Sequence, residues 1–133
     1  MDYQKFLRWA EEVAATVFQT HLLAWKNKLD VGKYNSNATA QERRFLAIGY
    51  DEFGNPVHCI VNKPKAESLY ISAEKVLNFL SKNEFIDVIA LCNLDTGAQN
   101  VVQLYTPSGK VNTAVKSTYN LNSSRNLLVY YYH

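Results

Sequence analysis

Cysteine, proline, glycine and methionine are all scarce in these 133 residues, with 2, 3, 5 and 1 copies respectively. So few glycines and prolines leave no linker and no low-complexity tract, and no internal repeat is present. The chain therefore reads as one domain spanning residues 1–133. The two cysteines, Cys59 and Cys92, sit in apolar, β-prone runs. Cysteine in such a setting acts as a small hydrophobe, which points to reduced thiols and a cytoplasmic protein. Met1-Asp2-Tyr3-Gln4-Lys5 opens without the basic and then apolar stretches of a secretory signal. No apolar run approaches the ~20 residues of a membrane span, so no membrane partner is expected. An excess of one charge is missing too. The 14 Lys and Arg against 12 Asp and Glu leave a net charge of +2, too mild to imply nucleic acid on its own.

What is present suffices for a core: 47% of residues are hydrophobic and 13% aromatic. A long helix is expected from Asp2 to Lys28, because Asp2 can cap it and neither Pro nor Gly interrupts before Gly32. Phe6, Trp9, Ala10, Val13, Val17, His21 and Trp25 fall on one arc of the 3.6-residue wheel. That arc is wider than a surface helix needs, which implies contact with more than one layer. The polar segment from Asp30 to Gln41 reads as a loop. A hairpin follows, Arg44 to Tyr50 and Pro56 to Lys63, joined through Asp51-Glu52-Phe53-Gly54-Asn55. Ser72 is placed to cap a short helix ending near Asn83. Strands are then expected at Phe85 to Leu94, Asn100 to Tyr105, Lys110 to Tyr119 and Leu127 to Tyr132. The class is α+β, a long N-terminal helix and one short helix packed on a mainly antiparallel sheet, in the order α-β-β-α-β-β-β-β. The last strand, apolar on both faces, is expected to be paired.

Catalytic spacings are missing. Ser108-Gly109-Lys110 has Leu104 where a phosphate-binding loop needs glycine, and Val111 follows the lysine, so a plain turn is the reading. His21, His58 and His133 and the two cysteines show no paired-ligand spacing, so no metal and no cofactor are expected. His58 and Cys59 are adjacent on a strand and point to opposite faces. A magnesium nuclease would need a carboxylate at position 61, where Val61 stands. The nucleophile-elbow pattern is absent. Cys92 and His21 could meet in space as nucleophile and base, but the favoured reading is two buried residues in a packed interior.

Two groups of residues carry the remaining functional reading. A hairpin turn centred on Phe53-Gly54 sets Arg44 opposite Lys63, with Arg43 and Lys65 alongside and His58 opposite Gly49. Like charges directly across a ladder repel, and an anionic ligand or a carboxylate relieves them. This cluster supports the alternative of a metal-independent ribonuclease or nucleic-acid-binding protein, with His58 as acid and base. Trp9, Trp25, Tyr130 and Tyr132 form the second group, read as core or interface aromatics. The favoured expectation is a small non-enzymatic binding or regulatory protein that works through contact with another protein or with a second copy of itself.

Overall fold

The computed structural model describes residues 2–15, 20–30, 41–94, 96, 102–115 and 128–129. Helix α1 runs Tyr3–Glu12, and the Asp2 carboxylate caps it by accepting from the Lys5 N–H at 2.8 Å. The helix ends there, far short of Lys28, and the chain re-enters as strand β1 (His21–Trp25) and strand β2 (Lys28–Leu29). The physical reason is local ambiguity. The run His21-Leu22-Leu23-Ala24-Trp25 is apolar on every side, so its period fits helix and strand alike. Pairing with a later strand decides the matter. Lys26 and Asn27 both adopt positive φ, 48° and 61°, the conformation of the two-residue turn that suits a twisted hairpin.

Strands β3 (Gln41–Tyr50) and β4 (Pro56–Ala66) form the expected hairpin. Helix α2 (Leu69–Asn83) follows, then β5 (Asp87–Leu94), β6 (Val102–Tyr105) and β7 (Val111–Val115). The class is α+β, and the order is α-β-β-β-β-α-β-β-β. Five strands make one antiparallel sheet in the order β2-β1-β5-β3-β4. Strands β6 and β7 pair with each other in a separate two-stranded sheet, not in one continuous run with β5.

Helix α2 lies on one face of the large sheet. Its Leu69, Ala73, Val76, Leu77 and Leu80 bury against Leu23, Ala24, Phe45, Ala47, Val88 and Leu91, the helix stripe meeting alternate strand positions. Its cap is Ser68, whose hydroxyl accepts from the Ile71 N–H at 3.3 Å, and not Ser72. Ser72 lies one turn inside the helix and is wholly buried. Strand β3 lies between β5 and β4. Every residue from Arg43 to Ala47 is buried, so the strand is covered on both faces.

The expected final strand lies mostly outside the described residues, and so do Tyr130 and Tyr132. Leu128 and Val129 are described; both are exposed and neither belongs to a strand.

Candidate functional site

The β3–β4 turn is closed by one carboxylate. Asp51 Oδ1 accepts from the backbone N–H groups of Phe53 at 2.9 Å and Asn55 at 2.8 Å, and Oδ2 accepts from the Asn55 amide at 2.9 Å. These bonds hold the Asp51 carboxyl below its ordinary value, the Asn55 side chain contributing most. Asp51 and Asn55 therefore face each other, and the turn centres on Phe53 itself. The register is one residue away from the one the sequence suggests. Arg43 stands opposite Lys63, Arg44 opposite Asn62, Ile48 opposite His58 and Gly49 opposite Val57.

A one-residue slip exchanges the faces of every side chain. Arg43 and Lys63 share the face that α2 covers, with Phe45, Ala47, Val61 and Cys59. Arg44, Asn62, Ile60 and His58 share the other. The cluster that sequence reasoning gathered is thus divided by the sheet. Arg44 and His58 occupy one face but lie two cross-strand pairs apart, roughly 13 Å. The side chain of Lys65 lies outside the described residues.

Both arginines are withdrawn from solvent, Arg43 to 6% and Arg44 to 5% exposure. Burial pushes both guanidinium groups below their ordinary value, while Glu42 raises Arg44 again. An arginine side chain keeps its proton all the same, so two permanent charges sit in the layers on either side of β3. Their surroundings differ. Arg44 Nη2 donates to Asn62 Oδ1 at 3.2 Å and lies 4.0 Å from Glu42 Oε1. Arg43 has neither: its Nε and Nη2 are sealed from solvent with no hydrogen-bond acceptor, whereas in Arg44 only Nε is left so. The Glu67 carboxylate, lowered chiefly by its bond to Lys75 and further by the nearby Lys63, is held by the Lys75 ammonium at 2.5 Å. Glu67 immediately precedes the α2 cap. The start of α2 is thereby fixed at the Lys63 end of the hairpin.

No family, curated protein or solved structure matches this chain.

The remaining candidates separate in the same way. Cys59 stands opposite Ala47 on the α2 face and Cys92 opposite Leu46 on the other, and both are free thiols. Burial raises both thiols, and Glu84 raises Cys59 further, so neither is an activated nucleophile. His21 pairs with Asn93 and Leu22 with Cys92, which turns His21 and Cys92 to opposite faces. Among the described residues no three His, Cys, Asp or Glu side chains converge as a metal site, and no helix is long and apolar enough to cross a membrane.

Of the aromatic candidates, Trp9 is half-exposed on α1 with its ring 5.9 Å from that of Phe6. Trp25 ends β1 on the face opposite α2, in the cross-strand row Trp25, Ala90, Ile48, His58. The adjacent row is Leu22, Cys92, Leu46, Ile60, and Tyr50 stands at the end of β3 on the same face. Leu22, Trp25, Tyr50 and Ile60 are between 41% and 54% exposed. Sequence reasoning named only Trp25 from this set. Ile60 was within reach through strand alternation, but Leu22 was concealed by the helical reading of β1.

Proposed function

We propose that this protein acts by protein–protein contact and not by catalysis, and that it uses the sheet face opposite α2. The observation that supports this reading is the position of Leu22, Trp25, Tyr50 and Ile60. Four large apolar side chains from three strands stand half-exposed on one face. Water contact with such side chains is unfavourable, and exposed large apolar groups gathered on one face mark interaction sites. Trp and Tyr are also the residues on which interface energy concentrates. Leu22 and Trp25 on β1 and Ile60 on β4 flank the buried Leu46 and Ala90, and Tyr50 stands at the end of β3, so the four are held by the paired strands of the sheet. The division of the basic cluster leaves the nucleic-acid alternative without a joint cationic surface, since a phosphate backbone needs exposed arginine.

The partner proposed is a second copy of the chain. An apolar patch on a twofold axis meets itself, and twofold homodimers are the commonest assemblies. The test is light scattering coupled to size-exclusion chromatography at 10–100 μM, comparing the parent with Trp25→Arg/Ile60→Arg. The parent should run as a dimer and the variant as a monomer with an unchanged circular dichroism spectrum. A monomeric parent across that range, or a variant that stays dimeric, removes the reading.

A further inference from the structure

We propose that the layer between the first turns of α2 and the β3–β4 hairpin binds a small tetrahedral oxyanion of the phosphate or sulfate class, anchored by Arg43. The Nε and Nη2 atoms of a guanidinium form one edge of its fork, the edge that meets two oxygens of an oxyanion side by side. In Arg43 both atoms are buried without an acceptor. A buried cation left without a counter-charge carries a large desolvation penalty, and the charge cannot be shed by losing a proton.

The neighbours of Arg43 deepen the imbalance. Lys63 stands directly across the ladder on the same face, at the spacing where like charges repel. The Glu67 carboxylate is bonded to Lys75, and that of Glu42 is paired with Arg44 on the opposite face of the sheet. Of the 12 acidic residues, Asp95 alone lies outside the described residues, and no ion pair to Arg43 is formed by the others.

A second polar orphan occurs in the same layer. The Ser72 hydroxyl is wholly buried and has no hydrogen-bond partner. It belongs to the buried stripe of α2, one turn from the Ser68 cap, at the end of the helix where backbone N–H groups and the helix dipole favour an anion. The Ser72 hydroxyl in the buried stripe of α2 and the Arg43 and Lys63 side chains on the sheet face it covers thus belong to one layer, and the carboxylate that acts on Lys63, Glu67, is bonded to Lys75. The burial also sets the ligand's size. A polymer backbone cannot pass beneath α2, so the ligand is a small ion.

The experiment is thermal unfolding of the full chain in sodium phosphate, sodium sulfate, sodium acetate and sodium chloride at matched ionic strength. Phosphate and sulfate at about 10 mM should raise the parent Tm by about 3 °C or more over chloride, and acetate by less. Arg43→Met, which keeps the length of the side chain and removes the charge, should unfold no earlier than the parent in chloride and should lose the phosphate-dependent rise. Lys63→Met and Ser72→Ala should each reduce that rise, and they keep the test decisive if Arg43→Met does not fold. The general stabilising action of phosphate and sulfate on any folded protein would appear equally in all variants. A parent with the same Tm in phosphate and chloride, or a rise retained in all three variants, overturns the site.

Discussion

The backbone carbonyl oxygen of Asp87 fills the space in which a Cβ on Gly49 would stand. The closeness follows from a bulge in β5. Ile48 pairs with Ala90, but Gly49 pairs with Val88, so Ile89 is the extra residue and the two strands close up beside it. Backbone has nowhere to retreat in the middle of a three-stranded ladder. Gly49→Ala should therefore cost about 3 kcal/mol or more, in the range of severe core disruption. Gly54 offers the contrast. It sits at φ 81° with nothing near its absent Cβ, so Gly54→Ala should cost about 1–2 kcal/mol through backbone strain alone. Urea unfolding of the two variants measures both, and equal losses would sink the account.

Phe85 lies in the α2–β5 connection with φ 53° and is 62% exposed. An aromatic residue in the left-handed region is strained by roughly 1–2 kcal/mol, and its exposed ring recovers little by burial. Glycine is at ease there, at some entropic cost in the unfolded chain. Phe85→Gly should raise stability by about 0.5–1 kcal/mol, and Phe85→Ala, which keeps the strain, should not. A drop in the urea midpoint of the glycine variant would show that the ring contributes packing.

The two raised thiols give the protein an alkaline signature. In the folded state Cys59 and Cys92 resist ionisation because burial disfavours the thiolate, while in the unfolded chain they ionise near the ordinary value, about 8.5. Below that pH both states are protonated and the thiols cost nothing. Above it the unfolded state is favoured, so stability falls as pH climbs toward the folded values. The double variant Cys59→Ala/Cys92→Ala should lose about 1 kcal/mol per site at pH 7, and should then decline less than the parent between pH 8 and 10. Identical pH slopes in chemical denaturation would contradict the burial of the thiols.

Asp51 gives the opposite signature at acid pH. Its carboxylate accepts three hydrogen bonds across the β3–β4 turn and is held below its ordinary value. That contribution is complete above the unfolded carboxylate value and disappears as pH falls through the folded one. Asp51→Ala should lower the Tm at pH 7, and the difference from the parent should shrink below about pH 4. A difference that stays constant down to pH 2 would assign the effect to something other than the charge.

Much of the fold is legible in local sequence. The turn residues Asp51, Gly54 and Asn55 announce the β3–β4 hairpin, Asp2 announces the first cap, and the apolar stripe of Val76, Leu77 and Leu80 marks α2. Each signal acts within a few residues. The β1 strand is different. His21-Leu22-Leu23-Ala24-Trp25 satisfies a helical wheel, and only its ladder with Leu91 and Cys92 of β5, some 70 residues away, makes it a strand. Ser72 shows the same limit on a smaller scale. Serine at that place reads as a cap until Ser68, one turn earlier, takes the role.

The candidate site divides along a single residue of register. From the sequence alone the hairpin, its basic residues and the lack of catalytic spacing are all visible, because they depend on residue identity and short separations. Which cations share a face was settled by the Asp51 side chain, whose bonds to Asn55 centre the turn on Phe53 and set Arg43 opposite Lys63. Because strand side chains alternate with a period of two, that shift set Lys63 beside Arg43 on the α2 face and moved His58 to the far face. The amino-acid sequence determined that Arg43 and Arg44 would be charged and adjacent. Only the packing of α2 on one face and the pairing of Arg44 Nη2 with Asn62 and Glu42 on the other decided that Arg44 would have an acceptor and a counter-charge while the Nε and Nη2 of Arg43 would have neither, since cross-strand partners are set by the tertiary register.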